Sequence, residues 1–263
     1  MRQFHQEGLI YYKFDCFDDH AVDHAIFSRI GGSSKGAFAS LNLGGTNGDD
    51  PRDVLANHEK LFRVFGRSYA SRFDGWQVHG KTIVFSDAPR PPEKKHSPAD
   101  GIFTDKPEVT LVMRFADCVP LVFHDPIRKV VGIVHGGWQG TMLRIGAEAV
   151  EAVQRHYGSR ACDLRVGLGP SICGNCYQVG EDVRRQFLKE WGKEAEPFFN
   201  QTENGLFLDL WGANIFTLRQ AGVEQIENPR ICTAENLQEW YSYRKEKGVT
   251  GRFAVVIALK GNG

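Results

Sequence analysis

Cys118-Val119-Pro120-Leu121-Val122-Phe123-His124-Asp125-Pro126-Ile127-Arg128-Lys129-Val130-Val131-Gly132-Ile133-Val134-His135 decides how this chain folds. Two apolar, β-branched runs, 119–124 and 129–134, flank Asp125-Pro126-Ile127-Arg128, whose Pro occupies the second turn position, so the stretch predicts a β-hairpin. With Pro126 and Ile127 at the tip, Asp125 faces Arg128, and that register carries Cys118 opposite His135 with Cβ atoms about 5 Å apart. A one-residue slip would turn one of the two side chains to the other face.

Outward from the hairpin, strands are expected at 25–29, 82–86, 109–115, 119–124, 130–135, 163–168, 229–233 and 253–259. Helical period and punctuation place a helix from Pro51 to Phe65, with Asp49 or Asp50 as cap and Pro51 in the first turn. Further helices are expected from Thr141 to Tyr157, Glu181 to Trp191 and Asp209 to Ala221, stopped by Gly158, Gly192 and Gly222. Few strands alternate with helices one by one, so the expected fold is α+β, with mixed β-sheets flanked by helices in a single compact domain over 1–263. The proline-rich, charged stretch 88–97 offers little to bury and reads as a mobile loop.

Lys plus Arg and Asp plus Glu each number 32, a formal net charge of zero, which removes the long-range attraction that nonspecific nucleic-acid binding needs. Met1 to Gly8 lacks the apolar core of a signal peptide, and no stretch approaches the roughly 18 apolar residues of a membrane span, so a cytoplasmic protein is expected. Six cysteines are then expected to be reduced. Cys173-Gly174-Asn175-Cys176 has redox or metal spacing, but no second Cys-x-x-Cys completes a structural zinc site.

His79, Cys118 and His135 are the candidate metal ligands and catalytic centre. Two imidazoles and one thiolate suit a zinc ion that keeps a fourth position open. Taken singly, each has an ordinary reading as a packed cysteine or a hydrogen-bonded histidine; the hairpin register joins the second and third. The same residues allow a cysteine hydrolase or transferase with Cys118 as nucleophile and His135 as base. Copper would also bind such a set in vitro by the Irving–Williams order, although the nine dispersed histidines include no His-x-His pair of the kind a multicopper cluster needs.

Along the chain follow Ser28-Arg29-Ile30-Gly31-Gly32-Ser33, Ser40-Leu41-Asn42-Leu43-Gly44, Gln77-Val78-His79-Gly80, Ala99-Asp100-Gly101, Ala116-Asp117-Cys118-Val119-Pro120, His135-Gly136-Gly137-Trp138, Gly169-Pro170-Ser171-Ile172, Cys232-Thr233 and Ser242-Tyr243-Arg244. In that order these motifs resemble the laccase-domain family, also called the purine nucleoside phosphorylase / polyphenol oxidase (YfiH-like) family. The resemblance implies zinc at His79, Cys118 and His135, phosphorolysis of adenosine, inosine or methylthioadenosine, and adenosine deamination, with a copper polyphenol oxidase as the older alternative. Gln139, Lys245 and His58 depart from positions where the family commonly shows Arg.

For this chemistry the sequence offers Gly136 and Gly137, where a strand runs through glycines into a helix and can expose N–H groups to an anion. Asp100 and Asp117 are candidate carboxylates for an oxocarbenium-like transition state, and Arg29 and Arg244 candidate phosphate cations. The expected partners are a nucleoside and phosphate, with no nucleic acid and no membrane; the preferred nucleoside, the balance of deamination against phosphorolysis, and the oligomeric state stay open.

Overall fold

The computed structural model describes residues 1–17 and 20–261. Two six-stranded sheets face one another. The first runs in the order Arg2–Gln6, Leu9–Lys13, Val22–Phe27, Phe253–Leu259, Thr110–Phe115, Arg72–Phe73. The second runs Gln225–Glu227, Arg165–Leu168, Val119–Asp125, Val130–Gly136, Gly101–Thr104, Ile83–Phe85. Most pairs are antiparallel, but Arg72–Phe73 on Thr110–Phe115, Ile83–Phe85 on Gly101–Thr104, and Gln225–Glu227 on Arg165–Leu168 are parallel. The sheets are therefore mixed and the fold is α+β, as expected.

Layering follows from the two-residue period of the strands. In Val130–Gly136, Val130 and Val134 pack outward under helices, while Val131 and Ile133 pack into the interface between the sheets with Val122, Met113 and Val255. His135 shares the inward parity of Val131 and Ile133. A strand buried on both faces has no need of polar alternation, which is why this stretch reads as a nearly continuous apolar run. Helices Ile145–Tyr157, Glu181–Trp191 and Leu210–Gln220 contribute to the core of the second sheet's outer face, and Pro51–Phe65 covers the first with Leu61 and Phe62.

The helix Pro51–Phe65 has the predicted bounds because its ends are chemically marked. The Asp50 side chain accepts from the Arg52 N–H, and Gly66 at φ 76° closes the helix. The expected helix 141–157 is instead two, Trp138–Met142 and Ile145–Tyr157, broken where Arg144 adopts φ 57°. The expected strand 229–233 is replaced by Gln225–Glu227 and a single bridge between Ser171 and Cys232. The hairpin Arg2–Gln6/Leu9–Lys13 was not expected; four of the five residues in Arg2–Gln6 are exposed, so that edge strand lacks an apolar signature.

The central hairpin exists, but its register corrects the expectation. Asp125 pairs with Val130 and Pro120 with His135, so Cys118 does not lie opposite His135. Asp125 Oδ1 accepts from both the Ile127 and Arg128 N–H groups at 2.9 Å, and Lys129 takes φ 53°. The carboxylate thus widens the tip to Pro126–Lys129 and shifts the pairing by two positions, which keeps every side chain on its predicted face.

Gly132 sits opposite Phe123 and Phe103, and a Cβ there would lie 2.1 Å from the Phe103 ring. Gly132→Ala is expected to lower unfolding free energy by about 1–3 kcal/mol through overpacking, measured by urea denaturation with an unchanged m-value.

Candidate active site

The chain crosses from the first sheet to the second at Ala116-Asp117-Cys118, between Thr110–Phe115 and Val119–Asp125. Asp117 makes the corner at φ 84°, and Cys118 projects from it before the strand begins. His135 is the last residue but one of the neighbouring strand Val130–Gly136; His79, at φ 59°, arrives on the loop preceding Ile83–Phe85. One donor atom from each of His79, Cys118 and His135 lies within 4.8 Å of the others, with the His79 and His135 rings 4.8 Å apart edge to face. The three predicted ligands do converge, by a route different from strand-to-strand opposition.

Asp100 holds them there. This fully buried carboxylate accepts from the His79 N–H at 3.0 Å, the Gly80 N–H at 2.7 Å and the Val78 N–H at 3.3 Å. It also bonds His135 Nδ1 at 2.8 Å, which leaves Nε2 for the cluster. Burial opposes its ionisation, but His135 and the backbone amides outweigh that and hold its pKa below the usual value. Burial would raise the Cys118 thiol, yet His135 and then His79 draw it down to about 6. Burial would lower His135, yet the Cys118 charge and Asp100 raise it to about 9. A proton on His135 facing a thiolate occupies the place a cation would take, and an N₂S donor set of borderline and soft atoms suits zinc or copper.

Above the cluster opens a cleft of about 800 Å³ whose walls include Trp76, His96, Arg114, Tyr177, Arg244 and Arg252. Its size is that of a small-molecule site. Arg244 stacks on Tyr177 at 4.7 Å, and Arg252 lies 5.4 Å from the Tyr243 ring. Tyr243 and Trp76 are exposed rings, whereas Trp240 and Tyr241, just before Tyr243 in the chain, are buried core. Asp74, nearly buried, ties one wall together, accepting from Arg90 at 2.8 Å and pairing with His96 at 3.0 Å and Arg114 at 3.2 Å. Through Arg90 and His96 the 88–97 loop is fastened to this carboxylate.

Of the other predicted residues, Asp117 lines the cleft, but both its oxygens are taken by the Thr233 hydroxyl at 2.6 Å and the Arg244 N–H at 2.7 Å. Asp100 is behind the ligands and outside the cleft. Arg29 corrects the expectation: it donates to the Ala39 and Leu237 carbonyls, pairs with Glu246 at 3.1 Å and stacks on Tyr241 at 4.2 Å, away from the cleft. Gly136 and Gly137 do not line the cleft, and the helix after them has five residues. A Cβ on Gly137 would stand 2.9 Å from His79 Nδ1 and 3.2 Å from Cys118 Sγ, so glycine there makes room for the ligands. Gln139 lines the cleft, Lys245 is exposed outside it, and His58 is buried against the Leu43 carbonyl at 3.1 Å.

Arg114, Arg252, His96 and Trp76 were missed from the sequence. Arg114 had a signal: it is the one charged residue in the apolar run 109–115. Arg252, just before the last strand, had none.

Fold and site together define an α+β domain that carries a two-histidine, one-cysteine cluster able to hold a metal ion, in a cleft where two facing sheets exchange the chain. The chain belongs to the family described as multi-copper polyphenol oxidoreductase laccase, whose model matches residues 23–260. It is similar to a purine nucleoside phosphorylase of Deinococcus radiodurans, at 40% identity over 243 residues, 91% of this chain and 90% of the relative. A second relative, purine nucleoside phosphorylase YlmD of Bacillus subtilis, is 34% identical over 89% of this chain and 87% of its own. The crystal structure of YlmD from Geobacillus stearothermophilus superposes with a TM-score of 0.89 at 30% identity, covering 98% of both chains. Among the described residues no helix is long and apolar enough to cross a membrane.

Asp100→Asn should weaken metal affinity roughly 10–100-fold while His79, Cys118 and His135 remain, read by competition with a chromogenic chelator; unchanged affinity would deny Asp100 its orienting role. Asp74 offers a pH test. Burial raises its pKa, but Arg114, Arg90 and His96 outweigh that and depress it. A depressed carboxyl contributes stability above its unfolded value near about 4 and loses it as pH falls through the folded value. The stability gap between wild type and Asp74→Asn, followed by urea unfolding, should therefore be full at neutral pH and shrink in acid below about 4.

Proposed function

We propose that this chain is a zinc-dependent purine nucleoside phosphorylase acting on adenosine, inosine or methylthioadenosine, with adenosine deamination as a second activity of the same centre. One observation carries the reading: a three-donor cluster and three guanidinium groups, Arg114, Arg244 and Arg252, share one cleft. That pairing suits a substrate set containing a phosphate dianion. The names of the relatives support the same reading.

His79, Cys118 and His135 would hold the zinc, which would supply a Lewis acid beside the cleft. The arginines hold phosphate for attack on the ribose C1′: a C1′–O bond forms, the C1′–N9 bond breaks, and the electron pair leaves with the purine. Burial draws the Arg252 pKa down, while the Cys118 and Tyr243 charges oppose that, which places this cation in the field of the cluster. Exposed Tyr243 and Trp76 give the base flat apolar partners. His96, oriented by Asp74 through Nε2, can hold a proton at Nδ1 for the departing purine. Asp117 holds the Arg244 backbone in place, so its part is to position the phosphate cation. With Gln139 uncharged, the anion depends on those three arginines.

Among the described residues the His/Cys/Asp/Glu groups able to hold a metal are this cluster and a thiol-rich one without histidine. Neither offers the many-histidine ligand set of a trinuclear copper centre, and this favours nucleoside chemistry over phenol oxidation. The experiment is incubation of zinc-loaded protein with adenosine, with and without phosphate, products read by mass. Adenine and ribose 1-phosphate formed only with phosphate are expected, alongside some inosine; free ribose at equal rate without phosphate, or inertness toward every purine nucleoside with rapid phenol oxidation, would reject the proposal. Arg244→Ala should raise the phosphate KM by about tenfold or more, the loss of one charge-assisted hydrogen bond of about 1.5–3 kcal/mol.

A further inference from the structure

Behind the wall that carries Tyr177 lies a second cluster. Cys173-Gly174-Asn175-Cys176 forms a tight turn in which the Cys176 and Tyr177 N–H groups both donate to the Cys173 carbonyl at 3.0 Å. A parallel bridge sets this segment beside Cys232-Thr233-Ala234-Glu235, with Ser171 N–H on the Ile231 carbonyl and Thr233 N–H on the Ser171 carbonyl, each at 3.1 Å. A second ligand pair with the same three-residue step thereby meets the first. The Cys173 N–H points at Cys232 Sγ from 3.3 Å, the type of backbone donation that stabilises a thiolate. The four donor atoms of Cys173, Cys176, Cys232 and Glu235 lie within 4.8 Å of one another.

We propose that Cys173, Cys176, Cys232 and Glu235 form a second, closed metal site that holds a structural zinc ion by three thiolates and one carboxylate. The spacing fits. Zn–S of about 2.3 Å and Zn–O of about 2.1 Å at a tetrahedral angle put sulfur and oxygen about 3.6 Å apart. Cys173 Sγ and Cys176 Sγ stand 3.7 and 3.5 Å from Glu235 Oε1. Three soft thiolates select zinc over calcium or magnesium, and a full tetrahedron of protein donors leaves no position for substrate. Binding exchanges the thiol protons for the ion, so zinc uptake releases protons and no oxidant is required.

The site has a mechanical consequence for the cleft. Ile172 and Tyr177, on one ligand-bearing segment, line the cleft, and Thr233, on the other, donates to Asp117. A four-coordinate ion would fasten these two segments to each other at a point outside the catalytic cluster. The cysteines are free thiols, and Cys176 and Glu235 reach the surface, so an ion has an entry path.

The test uses the full chain, purified under reducing conditions, with zinc alone as probe and metal counted by mass spectrometry. Cys176→Ser should hold about one zinc per chain fewer than wild type, and Cys118→Ala should retain about one. Cobalt added to Cys118→Ala should give thiolate-to-metal charge-transfer absorption, lost when Cys176→Ser is combined with it. Glu235→Ala, at an exposed position, keeps the thiols and should show weaker zinc retention against a chelator, which guards against misfolding of the cysteine variants. A Cys118→Ala protein that binds neither zinc nor cobalt would overturn the site, as would a native Cys173–Cys176 disulfide found by peptide mass in a separate sample alkylated before any reductant is added. Because the Cys118→Ala background lacks the catalytic cluster, failure here is distinct from failure of the phosphorylase proposal.

Discussion

The buried carboxylate of Asp100 is the interaction on which the site depends. It receives three consecutive backbone N–H groups from 78–80 and the His135 ring, and its own N–H is fixed to the Thr82 carbonyl at 3.0 Å. One anion therefore sets the position of one ligand through its main chain and the orientation of another through its imidazole. A carboxylate buried this completely is tolerated only when its lone pairs are filled. Here two of the partners, the His79 N–H and the His135 ring, belong to residues of the His79–Cys118–His135 cluster, so the price of burial is met in part by the groups that need positioning.

Two ligand-bearing corners depart from ordinary backbone. His79 and Asp117 both take positive φ, a conformation that side chains with a Cβ resist and that surrounding bonds must enforce. At His79 the enforcing bonds are the amides on Asp100; at Asp117 they are the Thr233 and Arg244 contacts on its carboxylate. The corner at Asp117 is also where the chain leaves one sheet for the other. Cleft, cluster and sheet interface thus share a boundary, and the apolar packing of the interface carries through Phe115 to His135, whose rings are 5.7 Å apart.

The sequence was most informative where chemistry marks an element's end or a short motif names a donor. Pro51–Phe65 was readable because Asp50 and Pro51 mark its start and its apolar residues recur at helical spacing, and His79, Cys118 and His135 because glycine, proline and carboxylate neighbours set them apart. What was not readable depends on partners distant in the chain. Arg29 carries the same charge as Arg252, and nothing local tells that one spends its donors on Leu237 and Glu246 while the other borders the cleft. Cys173 and Cys176 seemed to lack companions because Cys232 and Glu235 join them only through a bridge formed by Ser171. The hairpin tip was misjudged because Asp125 caps two amides, a bond that residue identity alone does not reveal.

That misjudged register shows what Gly132 contributes. Inside-outside alternation repeats every two residues, so sliding the strand 130–136 by two leaves each side chain on its proper face; the hydrophobic pattern cannot distinguish the two alignments. Shape can. Phe103 and Phe123 flank Gly132 from the neighbouring strands, their rings 5.4 Å apart, and the Phe103 ring occupies the volume that a side chain at that point would fill. A two-residue slide would bring Val130 or Val134 between those rings, and their branched side chains have no room there. The missing side chain is a key cut for one alignment: it removes an ambiguity that polarity leaves in place, and it ensures that His135, three residues on, reaches the ligand cluster and stops neither short of it nor beyond.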